Sequence, residues 1–376
     1  MQYTTDQHAM AMALVLARRG MGSTRPNPPV GAVVTQEGVL AGAGFHAEAG
    51  APHAEALALE EAGERAWGGT LSVTLEPCNH DGRTPPCVPR IIQAGIRRVN
   101  VAVRDPNPAS KQGLDALQAA GIEVRVGLDE RRARYVLAGF ASRVERKRPR
   151  FALKMAASLD GKIASASGDS RWISSDIARA WVHRRRREAD AILVGSGTVL
   201  ADDPLLTTRS VRGRNPDRIV MDAGLKTPVS ARVWKADGPR RIAVASERAP
   251  VTARAALEGH GVEVWMVPEV ASGRVDVSTL AGRLGDEGYT NVLIEGGGKI
   301  AGAFIEAHLV DVIWLVMSRH LLLGGGGPGW SEGLRVPSVT RALKVSRSHI
   351  EALGPDWLCT IVPEYAQWWD PETGHV

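Results

Sequence analysis

Cysteine is scarce in this chain, and the scarcity excludes a class of protein. The 376 residues include three, Cys78, Cys87 and Cys359, too few for the disulfide framework of a secreted scaffold. The close spacing of the first two suggests a metal instead, and Cys359, inside the apolar run DWLCTIV, reads as core. Long hydrophobic runs are missing as well: none reaches the roughly 18 residues that cross a bilayer. The N-terminal stretch MQYTTDQHAM carries neither a basic n-region nor a long apolar h-region, so a cytoplasmic protein without a membrane partner is expected. There is no fixed-period repeat and no low-complexity tract. No Ser-His-Asp-like arrangement stands out, and no G-x-G-x-x-G follows an early strand, which argues against a Rossmann domain. The ten tryptophans are scattered and not interleaved with basic residues, which favours core and edge packing over base stacking.

What remains is ordinary globular material, 44% hydrophobic and 23% charged. At this length two domains are the natural reading. The net charge of +5 suits nucleic acid, and equally a phosphorylated small substrate with a dinucleotide, so charge alone does not choose.

From Thr5 to Val144 strands and helices alternate. An amphipathic helix near 5–19 is followed by strands GAVVTQ and VLAGAGF, a helix begun at Pro52-His53, strand TLSVTLE, helix VPRIIQAG, strand RRVNVAV, helix KQGLDALQAAG and strand EVRVG. That rhythm predicts a layered sheet with helices on its faces, with Gly95 and Gly121 as helix stops. The charged, proline-broken stretch from Glu145 to Arg150 reads as a boundary. A second α/β domain follows, with strand candidates FALKMAAS, AILVGSG, RIVMD, RIAVAS, VEVWMV, NVLIEGG and VIWLVMS. The expected divisions are residues 1–146, residues 147–364 and a tail at 365–376.

His53-Ala54-Glu55 opens a helix after a proline, and Pro77-Cys78 follows strand TLSVTLE. Zinc deaminases need three protein ligands, an open position for water, and a carboxylate outside the ligand set to move protons. His53, Cys78 and Cys87 supply the ligands and Glu55 the carboxylate, a proton carrier for hydrolytic deamination. Eight residues, NHDGRTPP, separate the cysteines where the short signature has two. A loop with one glycine and two prolines can bring Cys87 back while projecting His80, Asp81 and Arg83 toward a ligand. A chance meeting of histidine, cysteines and glutamate is the alternative. Their order and their placement at strand and helix ends speak against it.

The segments TRPNPPVGAVV, GFH, PHAEALAL, VTLEPCNHDGRTPPC and DPNP closely resemble the deaminase half of the bifunctional riboflavin-biosynthesis deaminase/reductase family, whose own pattern includes the long GRTPPC spacing. The resemblance continues through LKMAASLDGKIA, SGDSRWISS, AILVGSGTVLADDPLLTTR and NVLIEGGGKIAGAF. It implies a cytidine-deaminase-like three-layer α/β domain followed by a dihydrofolate-reductase-like α/β domain. It further implies one zinc ion on His53, Cys78 and Cys87, Glu55 as proton carrier, and Asn27 beside the pyrimidine, where the bare sequence RPNPP allows a mere turn residue. Lys111 falls in a DPNPASKQG loop shorter than the family's usual one.

For the second domain the resemblance implies NADPH against Ala156, Trp172, Thr198, Asp202 and the segment Gly297, Gly298, Lys299, Ile300, Ala301, Gly302 and Ala303. Substrate would meet Ser170, Arg186, Leu206, Arg209 and Glu295. Bare amides at a glycine-rich helix start suit a pyrophosphate, although tight strand-helix packing explains such glycines equally well. Guanidinium groups suit a phosphate ester, and of the run Arg184-Arg185-Arg186-Arg187 one or two should face a ligand. The implied activity is deamination of 2,5-diamino-6-ribosylamino-4(3H)-pyrimidinone 5′-phosphate, then reduction of the ribosyl group to ribityl. The partners are a small pyrimidine ribotide and other copies of the chain in a homo-oligomer, without nucleic acid. Two rival readings are a deaminase acting on nucleic acid and a non-catalytic nucleotide-binding protein. The first lacks a basic-aromatic track, and the second sits badly with an intact set of ligands and proton carrier.

Overall fold

The computed structural model describes residues 4–80, 85–110, 112–323, 327–333 and 336–366. The chain divides into two compact units that meet in sequence at Lys147 and Arg148.

The first unit runs α1 (Asp6–Gly20), β1 (Gly31–Gln36), β2 (Val39–Phe45), α2 (Ala54–Ala62), β3 (Thr70–Leu75), α3 (Cys87–Gln93), β4 (Arg98–Val103), α4 (Gly113–Ala119), β5 (Glu123–Val126) and α5 (Glu130–Arg146). Its five strands lie in the order β2-β1-β3-β4-β5, with β1 antiparallel to β2 and β3, and with β3, β4 and β5 parallel. Thr5 caps α1 by accepting from the His8 amide, the usual role of a hydroxyl at that position. The expected elements are all present, and Gly95 and Gly121 follow α3 and α4 at φ +66° and +80°. Two glycines of β2 decide where α2 lies. A Cβ on Gly42 would stand 2.2 Å from the Ala58 carbonyl oxygen, and one on Gly44 would stand 2.5 Å from that of Ala54. The helix therefore rests directly on the strand, which fixes the height of its first turn.

The second unit runs β6 (Arg150–Ala157), α6 (Asp176–Glu188), β7 (Ala191–Gly195), α7 (Ser196–Asp202), β8 (Asp217–Met221), β9 (Arg241–Ala245), α8 (Val251–Gly259), β10 (Glu263–Met266), α9 (Val277–Asp286), β11 (Asn291–Ile294), α10 (Gly298–Glu306), β12 (Val310–Met317), β13 (Val345–Leu353) and β14 (Asp356–Pro363). The nine strands are ordered β10-β9-β8-β7-β11-β6-β12-β14-β13. Those from β10 through β12 are parallel, and the β13-β14 hairpin adds antiparallel to β12. Helices on both faces bury the parallel strands, which explains their continuous apolar runs. Phe151, Leu153, Met155 and Ala157 enter one core with Phe304 and Tyr289, while Ala152 enters another with Ala178 and Val316. All seven strand candidates are found here. The hairpin was not anticipated, because β13 has no apolar alternation.

Of the expected tail, Tyr365 and Ala366 complete a single 3-10 turn that begins at Glu364, and residues 367–376 lie outside the described residues. No helix among the described residues is long and apolar enough to cross a membrane.

Candidate active sites

In the first unit the parallel strands β3 and β4 end on the same edge of the sheet, where open α/β sheets place their ligands. Cys78 stands just past β3. Cys87 begins α3, and the loop between the cysteines is closed by backbone: the amides of Cys87 and Val88 both donate to the Cys78 carbonyl, at 3.1 and 3.2 Å. His53 is the N-cap of α2 in extended conformation, and its side chain makes no capping bond. The imidazole is thereby turned to the cysteines. Its Nδ1 lies 3.3 Å from Cys87 Sγ and 3.5 Å from Cys78 Sγ. These three ligand atoms lie within 4.8 Å of one another. One nitrogen and two sulfurs at this spacing form one of the donor sets that hold zinc in a three-ligand catalytic site.

The electrostatics agree. The hydrogen bond shared with Cys87, reinforced by His53, holds the Cys78 thiol down at about 4, and the same bond together with burial pushes the Cys87 thiol up. Without metal, then, the pair holds a proton between them, which a cation would displace. Glu55, in the first turn of α2, is buried beside them. Burial pushes its carboxyl above the ordinary value and the neighbouring Cys78 charge adds to the shift, which suits a group that must both take and return a proton.

A cavity of about 310 Å³ opens onto this cluster. Asn27 lies on its wall with its Nδ2 donating to Nε2 of His46 at 3.1 Å, while Nδ1 of His46 donates to the Pro52 carbonyl, also at 3.1 Å. Burial lowers the His46 pKa and so favours the neutral ring this chain of bonds requires. The sequence reading quoted His46 in the GFH segment without giving it this part. It also missed Asp105, which burial raises to about 6 while bonds from the Asn107 amide and the Ser110 hydroxyl pull it down. Glu76 was missed too: it accepts from the amides of Asp105 (3.2 Å) and Leu114 (3.3 Å), tying the end of β3 to the loop beyond β4. His80 also lines this cavity, whereas Asp81, Arg83 and Lys111 lie outside the described residues.

In the second unit a cavity of about 550 Å³ gathers residues from β6, α6, α7, the segment after α7, and the end of β11. Ala156, Ser170, Trp172, Arg186, Thr198, Asp202, Leu206, Arg209, Glu295 and Gly297 all line it. Gly298, Lys299, Ile300, Ala301, Gly302 and Ala303 are not on its wall. Gly298 and Gly302 turn toward the Gly329–Glu332 backbone, where added Cβ atoms would meet carbonyl oxygens at 2.6 and 1.9 Å. Close packing therefore accounts for these two glycines. Ile300 folds back over Gly195 and Gly296, and Ala301 is core.

Glu295 and Arg186 form a bidentate pair at 2.7 and 2.8 Å, with side chains only 9% and 13% exposed. Arg186 is the only member of the four-arginine run on this cavity wall. Arg185 instead pairs with Glu188 and stacks on Trp181. Lys154, unremarked in the sequence reading, faces the same cavity from β6. Burial lowers its pKa, the Glu295 carboxylate raises it, and Arg186 lowers it again. Arg209 at the rim is shifted down by partial burial, then by Arg186 and Arg232. Leu206 has φ +51°, a costly conformation for leucine. The next carbonyl, of Thr207, accepts from His183 Nδ1 and Arg186 Nη1.

Comparison with known proteins agrees with this geometry. Residues 149–359 match the RibD C-terminal domain, and residues 3–103 match the cytidine and deoxycytidylate deaminase zinc-binding region. Riboflavin biosynthesis protein RibD of Synechocystis is 39% identical over 95% of this chain and 96% of its own, and that of Aquifex aeolicus is 40% identical over 93% and 96%. The chain belongs to the RibD family. A crystal structure of the Thermotoga maritima diaminohydroxyphosphoribosylaminopyrimidine deaminase/5-amino-6-(5-phosphoribosylamino)uracil reductase superposes with a TM-score of 0.83 at 38% identity, covering 95% of this chain and 98% of that one. Acinetobacter baumannii RibD superposes equally well at 34% identity. As a RibD protein the chain is a bifunctional enzyme of riboflavin biosynthesis, with a deaminase domain of the zinc-binding kind and a reductase domain. Neither rival reading has support among these relatives.

Proposed function

We propose that the first unit deaminates a diaminopyrimidinone ribotide with one zinc ion on His53, Cys78 and Cys87, and that the second reduces the deaminated product with NADPH. The observation that carries the reading is the cluster of His53, Cys78 and Cys87, with His53, Cys78 and buried Glu55 on the wall of one cavity. Bound zinc supplies a water of lowered pKa. Glu55 would take one proton of that water at its carboxylate and pass it to the ring nitrogen, and would then carry the second proton of the same water to the departing ammonia. Asn27, oriented by His46, reads the polar edge of the ring. Exchange of Cys87 for serine is expected to weaken metal retention and deamination together. Metal content measured alongside ammonia release checks this, and full retention would move the third ligand elsewhere.

In the second unit NADPH supplies the hydride that opens the ribosyl ring. Ala156, Trp172, Thr198, Asp202 and Gly297 would line its side of the cavity, with the N-terminus of α10 starting just beyond, at Gly298. Arg186 is held by Glu295 and Lys154 lies close by, so the three offer donors and an acceptor to the pyrimidine edge. Arg209 is crowded by the like charges of Arg186 and Arg232, a repulsion that a phosphate relieves. Ser170 and Leu206 complete that end. Arg209→Ala should therefore raise the substrate KM about ten-fold or more, the effect of losing a phosphate-holding arginine partly open to water, and leave the NADPH KM nearly unchanged. Steady-state kinetics with each ligand varied checks it. Equal weakening of both would assign Arg209 to the cofactor or the fold.

A further inference from the structure

Leu206, Thr207 and Thr208 are buried, and the chain comes to the surface at Arg209. The position of this buried root decides where the Arg209 guanidinium can reach. Leu206 sits at φ +51°, a conformation that a leucine keeps only when its surroundings impose it. Beyond it the Thr208 amide and hydroxyl both donate to Asn215 Oδ1, at 2.9 and 3.0 Å, and close the loop that carries Arg209. At the root itself the Thr207 carbonyl accepts from two donors on α6, His183 Nδ1 at 3.0 Å and Arg186 Nη1 at 3.1 Å. Residues three apart are neighbours on one face of a helix. Arg187 lies against Gly213 of the same loop, where an added Cβ would stand 2.7 Å from its side-chain carbons.

We propose that His183 is a positioning residue of the reductase: by holding the Thr207 carbonyl it sets the root of the loop from which Arg209 reaches the phosphate of the ribotide. The proposal rests on Arg209 being the residue that holds that phosphate. Arg186 does not suffice as the only anchor. Its Nε and Nη2 are committed to Glu295, so its remaining nitrogen follows that carboxylate, and a single bond leaves the carbonyl free to pivot. Two donors on the two lone pairs of one oxygen fix its direction.

Satisfying the Thr207 carbonyl needs only one of these donors, and a leucine would fill much of the buried space of the ring. What the imidazole adds is the second direction, without a charge. A ring nitrogen that faces a carbonyl oxygen carries the proton. Burial, followed by Arg186 and Arg209, lowers the His183 pKa, so the ring donates from Nδ1 while neutral and leaves the positive charge at this end of the cavity to the arginines. A cation in its place would crowd Arg209 further.

Steady-state reduction of the deaminated ribotide by the full-length protein tests this. His183→Leu should raise the substrate KM about five-fold, the equilibrium worth of one ordinary hydrogen bond. Binding lost equally from ground and transition states moves KM alone, so kcat and the NADPH KM should stay within about two-fold of the parent. His183→Asn puts an amide N–H where Nδ1 stands and should bring the substrate KM back to within about two-fold of the parent, whereas His183→Gln, whose amide reaches the Nε2 position, should not. Because the histidine acts through Arg209, His183→Leu added to Arg209→Ala should cost less than about a further two-fold. An unchanged KM in His183→Leu would overturn the proposal, as would full additivity with Arg209→Ala. A fall in kcat and in both affinities that asparagine does not relieve would make His183 a residue of the fold. If Arg209→Ala itself leaves the substrate KM unchanged, the phosphate is held elsewhere and the role of His183 falls with that reading.

Discussion

Glu55→Gln should keep its zinc and lose deamination by about two to four orders of magnitude, the usual worth of a positioned proton carrier. Glutamine has the shape of the glutamate, so the first turn of α2, pinned on Gly44 through the Ala54 carbonyl, has no steric reason to move. The proposed ligand atoms belong to His53, Cys78 and Cys87, so metal retention should be unaffected. What disappears is the ability to accept a proton in a buried place where the carboxyl is already poised upward by desolvation and the Cys78 charge. Metal analysis and ammonia release on one preparation check both halves of the expectation. Reductase turnover of the same sample provides a control for folding. Deamination at the parent rate would make Glu55 a structural residue.

Glu295→Ala should destabilise the second unit by about 3–5 kcal/mol, the range for a buried pair that loses one partner. Arg186 would keep its charge with 13% of its side chain exposed, and Lys154 would face it with no carboxylate between them. Adding Lys154→Met should recover part of the loss, since it removes one of the two orphaned cations; the non-additivity measures their coupling. The pH dependence has a definite sign. The folded pKa of Lys154 lies below its ordinary value of 10.5, chiefly through desolvation, and Glu295 opposes that shift. Between the depressed value and 10.5 the unfolded chain binds more protons than the native one, so this group's contribution to stability rises with pH. Removing Glu295 extends that window downward, so the deficit of the variant should narrow as pH rises through the added part of the window and stay constant above it. Nine of the ten tryptophans follow Arg148, so denaturant unfolding read by tryptophan fluorescence reports chiefly on this unit. A deficit below about 1 kcal/mol, the worth of an exposed pair, would mean that water reaches the pair freely.

The two sites were legible to different degrees, for physical reasons. His53 and Glu55 are close in sequence at one helix start, and each cysteine adjoins a strand end or helix start that periodicity marks, so local pattern was enough to assemble them. Arg186 and Glu295 were found only by family resemblance, since 109 residues separate them. Lys154 was passed over because a lysine in FALKMAAS reads equally well as a solvent-facing strand residue. Its alternation with Ala152 and Ala156, the latter already expected at the cofactor, was a signal that could have found it. The run from Gly297 to Ala303 was read as one glycine-rich lining. A helix turns its residues in different directions, so Gly297 alone reaches the cavity wall while Gly298 and Gly302 admit a neighbouring backbone. The β13-β14 hairpin escaped notice because a strand exposed on both faces carries no hydrophobic period to detect.

The most direct test of two coupled chemistries in one chain is incubation with the diaminopyrimidinone ribotide, with and without NADPH, following ammonia release and nicotinamide absorbance together. The account predicts ammonia in both samples, with absorbance loss only where NADPH and ribotide are both present and only after ammonia begins to appear. Ammonia release without any NADPH oxidation, or oxidation that precedes deamination, would contradict it.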